Sequence, residues 1–224
     1  MENQTLTKWA ADQLIAMIRE GNYAPRDKLP TEAELSENLN VGRNTIREAL
    51  RLLVSRNIIT IRQGSGIFLS EKQGVADDPF GFCLVSDRQK LTRDLLQVRV
   101  MLEPPIAALA AQNRTGGEVT ELESILRQLE ELMKNREAYE KMDIEFHVKI
   151  AQSSHNSVMS HLVPVISRSI AVFAREVQET EYEQTFISHR AIFEAIKNQK
   201  PVESQQAMYF HLLYNENRYA VQSG

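Results

Sequence analysis

The sequence predicts a mainly α-helical protein of two domains, an N-terminal winged helix-turn-helix followed by an all-α helical bundle. At 224 residues the chain exceeds one average domain. β-branched runs cluster near residues 58–69, whereas every periodic segment after residue 91 has helical spacing. The stretch between them loses periodicity and collects Gly, Asp and Pro. We therefore expect domains at 1–72 and 91–224, joined by a linker at 73–90.

The first predicted element is a helix that faces the core. Leu6, Ala10, Leu14 and Ile18 lie about one helical turn apart, which is the spacing of an apolar helix face. The pattern stops at Gly21, a residue type favoured just past helix ends.

Two short helices follow and form the helix-turn-helix. Thr31 and Glu34 have the spacing of a capping box, so the second helix begins there and ends near residues 38–40. A third helix starts at about Gly42, with one apolar face made of Ile46, Ala49, Leu50 and Leu53.

A β-hairpin completes the N-terminal domain. Residues 58–61 and 67–69 are β-branched or apolar, and they flank the glycine-bearing stretch 62–66. This hairpin is the predicted wing.

The C-terminal domain is expected to hold six or seven helices between residues 91 and 221. Its periodicity is clearest in one segment, which places Val119, Leu122, Leu126, Leu129 and Met133 on one face. No alternating strand pattern interrupts it.

Composition and charge limit the function classes. Cys83 is the only cysteine, which excludes an internal disulfide and a cysteine-rich zinc cluster and agrees with a reducing cytoplasm. No apolar run is long enough for a signal peptide core or a membrane span, so we expect a cytoplasmic protein without a membrane partner.

The formal net charge is −4, yet residues 43–62 hold five arginines against one acid, Glu48, and so form a local basic patch.

The basic residues lie on the third predicted helix, opposite its apolar face. Arg43, Asn44, Thr45 and Arg47 are the fork-shaped or short polar side chains that reach bases and phosphates from a helix in the major groove. The alternative is an ordinary solvated basic face. A capped helix, a short turn, a basic helix and a glycine-tipped hairpin within seventy residues favour double-stranded DNA as the partner.

Four residues of the C-terminal domain are candidate metal ligands. Asp143 and His147 share one helix face through their i,i+4 spacing, and His189 and His211 follow far downstream. Imidazoles with one carboxylate suit a divalent ion, first zinc, with nickel, manganese and cobalt as alternatives. Spacing alone leaves open that His189 and His211 are ordinary helix-surface or capping residues.

Three motifs of the N-terminal domain resemble the GntR superfamily of transcriptional regulators. They are Leu29-Pro30-Thr31-Glu32-x-Glu34-Leu35, then the stretch 41–50 with sequence VGRNTIREAL, and the hairpin 62–66 with sequence RQGSG. The resemblance implies that Arg43, Thr45 and Arg47 contact an operator and that the wing glycines approach the minor groove. Asn44 and Arg62 are further candidate DNA contacts, in addition to the wing glycines Gly64 and Gly66. Ala33 stands where the FadR branch has an arginine. We therefore do not expect this chain to share the operator sequence of that branch.

The C-terminal domain resembles the FCD (FadR C-terminal domain) fold. The resemblance rests on Leu95-x-x-Val98-Arg99-x-x-Leu102-Glu103, on the stretch 143–147 with sequence DIEFH, and on His189-x-x-Ile192-x-x-Ala195-Ile196 followed by His211. It implies that the Asp and the three His hold a divalent ion and that an effector carboxylate completes the coordination. Arg99 is the candidate clamp for that carboxylate. Its alternative role is a surface ion pair with Glu103 at i+4.

The combined prediction is a dimeric, ligand-responsive repressor of a palindromic operator, with a small carboxylate, first a sugar acid, as effector. Two alternatives remain. The C-terminal domain could serve dimerisation alone, or the chain could be a metal-dependent enzyme, because a His/Asp site with open positions also activates water. The enzyme ranks lower since no HExxH motif is present.

Overall fold

The computed structural model describes residues 5–72, 74–75, 78–135, 137–173 and 182–222. The chain forms two compact units, divided between Pro79 and Phe80. This division falls within the stretch 73–90 that the sequence assigns to a linker. Each unit has its own buried core.

Unit 1 has the predicted order of three helices and a hairpin. Its elements are α1 (Leu6–Glu20), α2 (Glu32–Leu39), α3 (Arg43–Ser55), β1 (Ile59–Arg62) and β2 (Gly66–Leu69). The Thr31 side chain accepts a hydrogen bond from the Glu34 amide while Glu34 accepts one from the Thr31 amide, so the predicted capping box is present. Gly21 caps α1 as predicted, with its amide donating to the Met17 carbonyl.

The core of unit 1 forms where α1 and α3 pack together. Leu14 of α1, Leu35 of α2 and Leu53 of α3 are all buried in it. The prediction for Leu6 is wrong, because its side chain is 56% exposed. Leu6 is the first residue of α1 and lies one turn beyond Ala10, the first α1 residue in the core.

The wing is an antiparallel hairpin with a third short partner. Register pairs Ile59 with Leu69 and Arg62 with Gly66. Lys28, in the segment before α2, pairs with Phe68 on the other edge of β2.

Unit 2 is all-helical in its described residues apart from turns and one 3₁₀ turn at Phe82–Leu84. Its six described α-helices are α4 (Arg88–Asn113), α5 (Gly116–Asn135), α6 (Glu140–Ser153), α7 (Met159–Phe173), α8 (Tyr182–Lys197) and α9 (Pro201–Gln222). α4 begins earlier than the predicted domain start at residue 91, because Asp87 caps it by accepting from the Lys90 amide.

The main core of unit 2 contains residues of all six helices from α4 to α9. Phe146, Ile150, Ile192 and Leu212 are buried there almost completely. α4 packs most extensively against α9 and also contacts α6 and α8. Buried polar side chains from these four helices pack beside this core, as His189 does against Phe146. None of the described helices combines the length and the apolar character that crossing a membrane requires.

Candidate nucleic-acid interface and candidate metal centre

The predicted base-reading residues lie in the first five residues of α3. Arg43, Asn44 and Arg47 are exposed and Thr45 is half-buried, while the opposite face of α3 is buried in the core. The Arg47 guanidinium lies 3.4 Å from the Glu32 carboxylate, and both side chains are well exposed. Such surface pairs contribute little, so Arg47 is available to a partner.

The wing presents the remaining predicted DNA contacts at its tip. Gly64 and Gly66 have φ of 73° and 118°, values that favour glycine. The Arg62 guanidinium lies over the Phe68 ring, 4.8 Å from its centroid. This cation–π contact positions Arg62 on one face of the hairpin while leaving it exposed.

In unit 2 the four predicted metal ligands converge. One potential ligand atom from each of Asp143, His147, His189 and His211 lies within 4.8 Å of the others. The first two come from α6, and the histidines 189 and 211 come from α8 and α9. All three histidines are buried, and the Asp143 side chain is 24% exposed. The alternative that His189 and His211 are surface residues is therefore wrong.

Glu103 of α4 orients His147, a role that was not predicted from the sequence. Its Oε2 lies 2.6 Å from His147 Nδ1, and its Oε1 lies 2.5 Å from Arg99 Nε. Burial alone would raise the pKa of Glu103, but Arg99 and His147 lower it to about 2. The ionised carboxylate accepts from Nδ1–H, which leaves the Nε2 lone pair of His147 for another partner.

Arg99 is a buried residue rather than a surface one. The pair with Glu103 that was its alternative role is present, but both side chains are almost completely buried. Burial would lower the pKa of Arg99, yet Glu103 and, more weakly, Asp143 raise it. Arg99 therefore places a permanent positive charge beside the cluster.

Ser188 orients His211 in the same way that Glu103 orients His147. The Ser188 hydroxyl donates to the Thr185 carbonyl, so its oxygen accepts from His211 Nδ1–H at 2.8 Å. His211 Nε2 is then the unprotonated nitrogen, and it accepts a hydrogen bond from Asn215 Nδ2 at 3.2 Å.

Several buried nitrogen atoms of the cluster lack hydrogen-bond partners. Among the described residues these include His147 Nε2 and both ring nitrogens of His189. His189 Nε2 lies 3.2 Å from Asp143 Oδ1 without forming a well-directed hydrogen bond. Two atoms bound to one zinc ion at about 2.1 Å with a tetrahedral angle are about 3.4 Å apart, so this spacing fits two ligands of one ion.

The charge states of the cluster also suit a cation. Burial lowers the pKa of His189, and it lowers that of His211 further with help from the neighbouring histidines. Burial would raise the pKa of Asp143, but His189 and His147 lower it well below its usual value. Near neutral pH His189 and His211 are therefore neutral imidazoles beside an ionised Asp143. Imidazoles with one carboxylate are a donor set for zinc and similar divalent ions.

Fold and sites together define a class of protein: a DNA-binding transcriptional regulator with a second, helical unit. Residues 6–69 match the model of bacterial regulatory proteins of the gntR family, and residues 94–213 match the FCD domain. The chain belongs to the gntR family of bacterial regulatory proteins and carries an FCD domain.

Individual relatives agree with this assignment. The galactonate operon transcriptional repressor of Escherichia coli (strain K12) is 33% identical, covering 85% of this chain and 86% of its own. The regulator LutR of Bacillus subtilis (strain 168) is 28% identical, covering 88% and 93%. The solved structure of Streptococcus agalactiae GntR is 39% identical, with a TM-score of 0.83 and coverage of 94% and 99%. The first two relatives are named as transcriptional regulators, and this chain is a transcriptional regulator rather than the metal-dependent enzyme that was its alternative.

Proposed function

We propose that this transcriptional regulator is a homodimeric repressor whose helical unit binds a divalent metal ion, zinc first, and a small carboxylate effector. In this proposal the protein acts in the cytoplasm on a palindromic operator, because a two-fold dimer presents two α3 helices to two half-sites. Its DNA contacts are the following residues of unit 1: Arg43, Asn44, Thr45, Arg47, Arg62, Gly64 and Gly66.

The buried cluster of unit 2 carries the sensing half of the proposal. Nitrogen atoms of His147 and His189 are buried without hydrogen bonds. Each such polar atom costs about 1–3 kcal/mol when its desolvation is uncompensated. A cation bound between Asp143, His147, His189 and His211 would compensate this cost, so the residues present fit a metal ion.

The metal, when bound, supplies a Lewis-acidic centre to which a carboxylate oxygen binds. The chain's own residues supply the rest of the pocket. Glu103 and Ser188 orient two of the imidazoles, and Arg99 brings a positive charge that favours an anion beside the cluster. Arg99 already pairs with the ionised Glu103, so in this proposal an effector carboxylate shares the guanidinium with Glu103.

A sugar acid is the effector class that we favour. The galactonate operon repressor supports this choice, since it is 33% identical over most of both chains and galactonate is a sugar acid. A sugar acid combines a carboxylate with neighbouring hydroxyl groups, which are oxygen ligands for a divalent ion.

Thermal unfolding of the purified protein tests the sensing function. The probes are galactonate, gluconate, glucuronate and lactate, each added to the zinc-loaded and to the chelated protein. We expect one acid to raise the unfolding midpoint saturably with zinc and not after chelation, because a ligand of the folded state stabilises it. If zinc and all four acids leave the midpoint unchanged, a purely dimerising C-terminal domain becomes the better description.

A further inference from the structure

The wing has two faces of opposite character. Side chains alternate along paired strands, and the buried face holds Leu29, Ile59 and Ile67. The other face, here called the outer wing face, consists of Lys28, Thr60, Arg62, Gly66 and Phe68. Thr60 and Phe68 are opposite each other in the hairpin, as are Arg62 and Gly66.

Lys28 joins this face from outside the hairpin. The Leu29 amide donates to the Ile67 carbonyl at 2.8 Å and the Leu69 amide donates to the Asp27 carbonyl at 2.9 Å. These bonds flank the Lys28–Phe68 pair, so it is a non-hydrogen-bonded pair, the kind whose side chains approach most closely.

The Lys28 side chain extends along the outer wing face to the hairpin tip. A Cβ atom on Gly66 would lie 3.0 Å from Lys28 Cε and 3.7 Å from its Nζ. The absence of a side chain at Gly66 therefore leaves room for the lysine stem. The ammonium group lies beside the same glycine that Arg62 opposes across the hairpin.

The charge of Lys28 is not neutralised by a salt bridge with any residue that the structure describes. Two neighbouring cations of unit 1 do have such partners, since Arg26 pairs with Glu71 and Arg47 with Glu32. The carboxylate of Glu34, which attracts Lys28 at longer range, accepts hydrogen bonds from Thr31 in the capping box. Lys28 is also exposed.

We propose that Lys28 is a phosphate-binding residue of the wing. Its ammonium group neutralises a DNA phosphate at the edge of the groove that the wing tip approaches, beside the contact made by Arg62. Phosphate contacts position a protein without reading sequence, so Lys28 contributes affinity and not base preference. The inference rests on the DNA-binding half of the proposed function.

The salt dependence of binding to a short random-sequence DNA duplex tests this role. Lys28→Met keeps the apolar stem beside Gly66 and removes the charge. Between about 50 and 200 mM salt we expect the slope of log K against log salt to become shallower by about 0.9 for each bound protomer, because one phosphate contact is lost. Lys28→Arg keeps the charge and should retain the original slope.

Lys200→Met is the matched control, because this exposed lysine of unit 2 changes the net charge equally. Its slope should equal that of the unsubstituted protein. If Lys28→Met also keeps the original slope and affinity, Lys28 does not bind phosphate and the inference is wrong. If the unsubstituted protein shows no salt-dependent binding at all, the DNA-binding half of the proposed function fails together with it.

Discussion

Glu103 contacts Arg99 and His147 and so connects the candidate metal cluster to α4. It accepts from His147 Nδ1 and pairs with Arg99, all three side chains being buried. We expect Glu103→Gln to lower the affinity for zinc about 10–100-fold, because the amide is a weaker acceptor and no longer fixes His147 as an Nε2 ligand. Competition against a chromophoric chelator measures this affinity.

Glu130→Gln is the control for that substitution, because Glu130 forms ion pairs on the surface of the same unit. Its zinc affinity should be unchanged. Removing one partner of a buried pair is strongly destabilising, so circular dichroism must show that Glu103→Gln still folds without metal. A folded Glu103→Gln protein with undiminished zinc affinity would exclude the orienting role.

At the scale of residues, the sequence identified the candidate metal ligands but not the side chains that orient them. Asp143 and His147 are related by helical spacing, and family resemblance added His189 and His211. The role of Glu103 was missed because its distance to His147 depends on how α4 packs against α6. Whether Arg99 lies in the effector pocket or in a surface pair was left open for the same reason, since an i,i+4 pair has the same spacing on a surface helix and on a buried one.

At the scale of elements, the wing tip holds two glycines with different requirements. Gly64 has φ of 73° and open space where a Cβ would lie, while Gly66 has φ of 118° and Lys28 Cε in close contact. We expect Gly64→Ala to destabilise unit 1 by about 1 kcal/mol from backbone strain alone. Gly66→Ala should cost more, because strain and the contact with Lys28 add.

The only tryptophan of the chain makes this comparison measurable in the intact protein. Trp9 lies on α1, so its fluorescence during urea unfolding reports on unit 1. The two variants should both lower the urea midpoint, with Gly66→Ala lower than Gly64→Ala. Equal midpoints for the two variants would mean that Lys28 moves aside freely and that alanine is equally strained at φ of 73° and of 118°.

The elements predicted best from the sequence were those whose ends are fixed by residues close in the chain. The capping box of Thr31 and Glu34 and the cap at Gly21 depend on residues close in the chain, and both are present. The contribution of residues 27–29 to the sheet was not foreseen, because one bridging residue has no periodicity of its own. The exposure of Leu6 likewise depends on where α1 extends beyond its neighbours.

At the scale of the whole molecule, the two units have separate cores and separate sites. The core of unit 1 includes Leu14 and Leu50, and that of unit 2 includes Phe146 and Ile192. The two-domain architecture was predictable because the linker and the change from mixed to purely helical periodicity are properties of long segments. A coupling free energy measures how much binding at one site changes the affinity of the other site. Its value is the same in both directions.

We expect zinc to stabilise unit 2 and to leave unit 1 unchanged, because each unit has its own core. At a free zinc concentration of about 100 times Kd, the metal should stabilise unit 2 by about 2.7 kcal/mol. Chelation should therefore lower the urea midpoint seen by far-ultraviolet circular dichroism, which is dominated by the helices of unit 2, without moving the Trp9 fluorescence midpoint. His189→Ala should abolish the response to zinc. His161→Ala should keep the response, because His161 is exposed and its hydrogen bond to the Ser157 carbonyl lies near the start of its own helix.

A Trp9 midpoint that falls together with the circular dichroism midpoint would mean that the two units unfold as one. Stability gained at the metal cluster would then reach the DNA-binding unit directly.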